Sequence, residues 1–572
     1  MSIDIETYRL KAQEAIEYVF VKEYHNSLGI PMPIVKMLLP DDANYSTGQY
    51  YITIDKTWQI HLNFGKLPIS YHEFQNEVKV LTRHEIEHYM CCPFDVITHF
   101  RMLKRIRDVY YKHFSHLGIN IEYACGAISN QAADIIVDTK NYYRHSKETL
   151  KSEIDWIKIG ANISACPRHC KLMFLTKEAI WKEDLGINET DPEFLKIVHQ
   201  LADSFTKNGI EDKSSFLDKV EEYAEIFFKL YVEDQKNPQQ SSQQGSQQQS
   251  GQQGSQQQSG QQGSQQQSGQ WGVGRPKDGD EHGNAFVFAD PDKVKEAIEV
   301  LAEETSVEEF IDLLAIAGII GMSDKQKGVL WFNVQSANII PIVEFSNTGN
   351  KSSYTYPSVW RIGDPIEELD LMLTYMTSPR LIPGMTTKKW EYVSNDDNGT
   401  ESKQMDLLLV VDTSGSMGSV MKESANMHQA VLASYGILSY FESTKSKVAF
   451  IGFSDKIDAY VDWSDKYDDV RERLLTNGHG GTKFPISRIK STLDVRSRDL
   501  VTVLITDGDL GNINESVSYF RDYLNDDNKL YIFLLGGSKS LHSYEPLKNI
   551  GAKIYNANNA NEFCDMVLTD ME

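Results

Sequence analysis

The chain has 572 residues, and 57 Lys and Arg against 81 Asp and Glu leave a formal net charge of −24. That balance argues against a general binder of nucleic acid or anionic membrane, which collects phosphates with clustered cations. A hydrophobic share of 41% with 10% aromatics supplies ordinary globular cores and excludes wholesale disorder. The length suggests roughly two to four domains. Six scattered cysteines make no disulfide scaffold and fit a reducing compartment. The N-terminus reads as a charged amphipathic helix rather than a signal peptide, and no apolar run approaches the roughly 18 residues of a membrane span. A cytoplasmic location is the expectation.

Residues 50–64, YYITIDKTWQIHLNF, hold two runs of aromatic and β-branched residues split by Asp55-Lys56, which predicts a β-hairpin. Helical spacing follows over 71–90, ended by Pro93, and contains HEIEH: His84, Glu85 and His88. Positions four apart share a helix face. Both imidazoles can therefore point at one Zn²⁺, with Glu85 placed to take a proton from a water activated there. The charged Glu87 inside the motif also fits a solvated helix face.

Two histidines leave a catalytic zinc one protein ligand short. A later helix, AISNQAADIIVDTKNYYRH, carries Asp134 and Asp138 four apart, with Ala132 and Ala133 small enough for close approach. Asp134 would be the ligand, and Asp138 would hold one histidine by its second ring nitrogen. His99 competes as third ligand, and the remaining alternative is neither. Cys166 and Cys170 bracket His169 in CPRHC; ordinary cysteines are the main reading and a second metal the minor one.

HEIEH followed by NQAADIIVD resembles zincin-type peptidases of the gluzincin pattern, in which a later helix gives an acidic ligand and another acid four residues on. The chain departs from it by carrying Asp134 where the thermolysin-like group has Glu. The resemblance implies an α-rich, zincin-like α+β domain over residues 1–235. It also implies that the strand before the active helix, WQIHLNF at 58–64, binds substrate as one more strand.

From Asn237 to Gly272 the chain is nearly all Gln, Ser and Gly, with SQQQSGQQG at 246–254 and 255–263 and SQQQSGQWG at 264–272. Such a segment cannot offset its ordering entropy, so a disordered linker is expected over 236–274, separating two bodies. Residues 275–400 are expected to form an acidic, partly helical connector. From Val273 to Thr400, 11 Lys and Arg stand against 21 Asp and Glu. Its 291–318 stretch has helical spacing with Gly318 as the stop. A solvated acidic face is the main reading there, and a docking surface for a basic partner the alternative.

From Met405 apolar strands alternate with amphipathic helices, one over 419–442, as in a doubly wound, Rossmann-like α/β domain spanning 401–572. Ligands of such sheets bind beyond the carboxyl ends of the strands. There stand Asp412, Ser414 and Ser416 after the first strand, Thr482 after GHGGT, and Asp507 in TDG. Hydroxyls and carboxylates with water suit a hard cation, Mg²⁺ or Mn²⁺. This DxSxS…T…D arrangement resembles the metal-ion-dependent adhesion site (MIDAS) of von Willebrand factor A (VWA) domains, in which an acidic residue of a bound partner completes the metal's shell.

Most of the chain outside the Gln-rich linker resembles bacterial proteins that join an HExxH metallopeptidase to a C-terminal VWA domain, many of them associated with MoxR-type AAA+ ATPases. The resemblance implies a zinc-dependent peptidase whose VWA domain recruits a protein partner. Its alternative is a non-catalytic adaptor linking an ATPase to client proteins, with the HExxH helix structural or inactive.

Overall fold

A computed structural model describes residues 5–28, 30–42, 50–54, 59–64, 70–159, 163–236, 291–319, 322–339, 353–360, 388–393, 405–496, 499–508, 510, 512–526, 528–536 and 542–557. The chain divides into two compact units, Met1–Met322 and Ser323–Glu572. Among the described residues no helix is long and apolar enough to cross a membrane.

The first unit is helix-rich. Helix α1 (Ile5–Glu17) precedes three strands, β1 (Ile34–Leu38), β2 (Tyr50–Ile54) and β3 (Gln59–Phe64). The antiparallel β2–β3 pair is the expected hairpin; Asp55-Lys56 and Trp58 lie outside the described residues. Strand β1 adds parallel to β3, with Ile34 opposite Gln59, so the sheet order is β1–β3–β2. Both edges of β3 are therefore taken. This corrects the expectation that the 58–64 strand pairs with substrate, because its backbone donors and acceptors are already spent on two neighbours. Long-range parallel pairing leaves no local periodicity to read.

Helix α2 (Tyr71–Met90) starts at Ser70, whose hydroxyl accepts from Glu73 N at 3.4 Å. The Ser-x-x-Glu spacing is the sequence signal for that start. Every residue from Val80 to His88 is buried, so this stretch of α2 has no solvated face. Helices α3 (Val96–Val109), α4 (Ile121–Ile159), α5 (Arg168–Trp181), α6 (Pro192–Thr206) and α7 (Phe216–Lys236) complete the bundle, with α4 packed on α2, α3, α5 and α7.

The expected 291–318 helix is two helices, α8 (Pro291–Glu304) and α9 (Val307–Ile316). Ser306 breaks them, capping α9 reciprocally with Glu309. Gly318 is indeed the stop, at φ +70. Both helices pack on α3, and α9 packs on α4 as well. The boundary at Met322 thus falls inside the 275–400 segment expected as one connector, and the described chain on both sides of the Gln-rich tract, α7 and α8, belongs to the first unit. Buried Leu301, Ala302, Val307, Phe310, Leu313 and Leu314 are the physical reason, since an apolar helix face needs cover.

The second unit begins with α10 (Asp324–Ile339) and a two-stranded antiparallel pair, β4 (Ser353–Val359) and β5 (Lys388–Val393). Its main sheet holds β6 (Asp406–Asp412), β7 (Val448–Phe453), β8 (Ile457–Ser464), β9 (Leu500–Thr506), β10 (Lys529–Leu535) and β11 (Lys553–Ala557) in the order β11–β10–β9–β6–β7–β8. All neighbours are parallel except β7–β8 at one edge. Strands β7 and β9 are buried throughout, as parallel strands covered on both faces must be. Leu408, Val410, Ile451, Leu504 and Ile532 form one core with α12 (Ile486–Leu493) and α13 (Val517–Asn525), through Ile489 and Phe520. Helix α11 (Asn426–Ser443) packs on β6 and carries α10. It starts later than the expected 419, because residues 418–425 form a loop in which Gly418 passes close to Ala425.

Candidate metal centres

Charged side chains on α2 fix how it meets α4. Arg83 pairs with Glu23 at 2.6 Å and with Glu148. Glu87 is wholly buried and takes Lys140 at 2.9 Å, Arg144 at 2.8 Å and the Tyr24 hydroxyl at 2.9 Å. It is an interior hub, not part of a solvated face. A one-turn slip of α2 along α4 would strand that carboxylate, at about 3–5 kcal/mol.

In this register His84 Nε2 and His88 Nε2 lie 3.1 Å apart, and Asp134 Oδ1 lies 3.4 and 3.2 Å from them. A tetrahedral zinc about 2.0–2.1 Å from its ligands spaces them about 3.3 Å apart. The triangle has the size of one face of that tetrahedron. His99, the competing ligand, is buried on α3 but stands outside the group. Glu85 follows His84 and is 9% exposed.

The outer ring nitrogens decide which way the lone pairs face. His88 Nδ1 lies 2.8 Å from the carbonyl oxygen of Cys92, and His84 Nδ1 lies 2.7 Å from Asp138 Oδ1. Both partners accept, so each ring donates through Nδ1 and turns Nε2 inward. Two lone pairs then face a carboxylate oxygen that is buried and has no hydrogen-bond donor. The other Asp134 oxygen accepts from Asn130 at 3.2 Å. Three converging acceptors could hold a cation.

Charge points the same way. Asp138 Oδ2 meets Lys177 Nζ at 2.5 Å, and Lys177 reaches Glu153 at 3.0 Å. With neutral imidazoles, Asp134, Asp138 and Glu153 against Lys177 leave two negative charges inside, which a divalent cation cancels. Without one, a proton serves. Burial disfavours a charge on His84, but Asp138 and Asp134 outweigh it and hold its pKa up at about 10. Burial likewise raises the Asp134 carboxyl, yet the two imidazoles bring it well below its ordinary range. Lys177 and Glu153 stand in no motif, and sequence reasoning missed both. The CPRHC histidine is committed elsewhere, with His169 Nδ1 2.9 Å from Asp234, and its cysteines join no ligand group among the described residues.

The second centre lies at the sheet's switch point, where the chain passes from one side of β6 to the other and β6 and β9 end side by side. Ser414 Oγ and Ser416 Oγ are 3.1 Å apart, and Ser416 donates to Asp507 Oδ1 at 3.0 Å. Adjacent ligands of an octahedral Mg²⁺ at about 2.0–2.1 Å stand about 2.9 Å apart. Asp412 accepts from Ser414 N at 2.9 Å and from the Thr506 hydroxyl at 2.6 Å. Burial raises its pKa, against those hydrogen bonds. Asn426 holds the other Asp507 oxygen at 3.2 Å.

Thr482 does not join this chain of hydrogen bonds. It stands partly exposed two residues past Gly480, whose carbonyl accepts from Gly415 N at 3.2 Å and so brings the loop alongside. Gly478 makes that approach feasible: a Cβ there would lie 2.4 Å from the Thr413 carbonyl oxygen and 2.5 Å from Asp458 Oδ2. Sequence reasoning missed Thr506 and Asn426, which lie outside the five-point motif.

No family model matches the chain, and no curated protein matches it. Among solved structures it is similar to the conserved hypothetical protein BatB from Bacteroides thetaiotaomicron, at 12% identity over 29% of this chain and 97% of that one, with a TM-score of 0.25. That likeness is too faint to inform activity.

Proposed function

We propose that the chain is a zinc-dependent peptidase whose second unit is a VWA-type domain binding a protein partner through Mg²⁺ or Mn²⁺. The observation that carries the first part is the inward-facing triangle of His84, His88 and Asp134, with both Nδ1 protons already committed. Those three residues would hold the ion, leaving a fourth position for water. Zinc, when bound, lowers the pKa of that water to near neutrality. Asp138 orients His84, the Cys92 carbonyl orients His88, and Glu85 is assigned as general base. At the second centre Ser414 and Ser416 would ligate directly, while Asp412 and Asp507 ligate or hold waters. The partner is proposed to supply an acidic side chain, and a MoxR-type AAA+ ATPase is the proposed associate.

Glu85→Gln tests the enzyme reading: zinc content stays, and cleavage of a denatured protein disappears. A second reading, a non-catalytic adaptor with a structural zinc, is favoured by the closeness of the first centre. The side chains of His84, His88 and Asp134 are only 7%, 2% and 15% exposed, and β3 has no free edge. A zinc-loaded wild type that cuts no denatured substrate would decide for the adaptor.

A further inference from the structure

We infer that the α3–α4 face is a docking surface for an acidic helix pair, filled in this chain by α8 and α9. This dock holds α8 and α9 in the first unit, beyond a Gln-rich tract that lies between α7 and α8 in the sequence. Fifty-four residues separate the end of α7 at Lys236 from the start of α8 at Pro291, yet both helices belong to one compact unit. What returns the chain is side-chain chemistry. Leu301, Ala302, Val307, Phe310, Leu313 and Leu314 are fully buried, and Thr305 closes the end of α8 by donating to the Leu301 carbonyl at 2.6 Å.

The rim is charged and complementary. Arg107 Nη2 lies 2.7 Å from Asp312 and its Nη1 3.4 Å from Glu309; Lys104 lies 3.8 Å from Glu309, and Arg101 donates to Glu304 at 3.0 Å. Glu304, Glu309 and Asp312 of the segment thus meet a basic stripe on α3, formed by Arg101, Lys104 and Arg107. The apolar face supplies affinity; the charges set orientation and reject other helices. A long polar excursion adds only a modest effective concentration, on the order of millimolar or less. A dock of this composition holds without it.

The test uses the full chain. A site-specific protease sequence is inserted after Gly254, the folded protein is cut, and the product is run on size exclusion at about 10 μM. The fragments are expected to elute together, with an apparent Kd below about 1 μM. Cut Arg107→Glu should raise the apparent Kd at least tenfold and lower the co-eluting fraction, and adding Glu309→Arg with Asp312→Arg should restore it. Restoration shows that the single variant failed at the interface rather than in folding. Fragments that elute together with two copies of each also support the dock, used then between chains. Wild-type fragments that part on cutting, or cut Arg107→Glu fragments bound as tightly as wild type, overturn the inference.

Discussion

Lys177 Nζ stands 2.5 Å from Asp138 Oδ2, with both side chains almost wholly enclosed in the first unit. Asp138 gives its other oxygen to His84, so one lysine is linked through a carboxylate to a candidate metal ligand. Removing the ammonium leaves a buried charge unpaired. Lys177→Met is expected to weaken zinc binding about 10–100-fold and to lower stability by about 3–5 kcal/mol. Competition with a chromophoric chelator and urea unfolding measure the two. Unchanged affinity would detach Lys177 from the centre.

A second prediction concerns pH. With the pKa of His84 raised to about 10 in the metal-free protein, its Nε2 is protonated at neutrality and must release that proton to ligate. Zinc affinity should therefore rise about tenfold per pH unit between roughly pH 7 and 9. The sign for stability is opposite. A raised pKa stabilises the metal-free fold fully below the ordinary histidine value, and this contribution fades as pH climbs through about 10. Bound zinc should flatten that decline. A flat affinity profile would show that His84 carries no such proton.

At the second centre, Asp412 pays the burial cost of a carboxylate that no cationic side chain among the described residues pairs. Asp412→Ala and Ser416→Ala should each abolish Mn²⁺ binding read by electron paramagnetic resonance, while Thr482→Ala should weaken it less than tenfold. Equal loss in all three would place the Thr482 hydroxyl on the ion itself.

Gly478→Ala should cost about 1–3 kcal/mol, because the new Cβ meets the Thr413 carbonyl oxygen and the Asp458 carboxylate at under 3 Å. Thermal unfolding of the full chain checks it. An unchanged second-unit transition would mean that the loop has room to shift.

Local geometry explains what was readable in advance. His84/His88 and Asp134/Asp138 are i, i+4 pairs, so helix periodicity alone aims each pair to one side. The apolar runs of β6, β7 and β9 likewise announce a parallel sheet buried on both faces. Long-range matters were hidden. Nothing local tells β1 to pair with β3, or returns α8 and α9 to α3 across the tract. The return is visible only once Arg101, Lys104 and Arg107 are seen opposite Glu304, Glu309 and Asp312. The 291–318 reading missed the Ser306–Glu309 capping box because apolar spacing runs straight through it.

The central claim is a zinc ion held by His84, His88 and Asp134. Zinc K-edge X-ray absorption on the purified full-length protein tests it most directly. The expected result is one zinc per chain with only nitrogen and oxygen neighbours at about 2.0–2.2 Å, two of them imidazoles, and loss of the metal in Asp134→Ala. A protein that takes up no zinc, or a sulfur shell at about 2.3 Å, would contradict it.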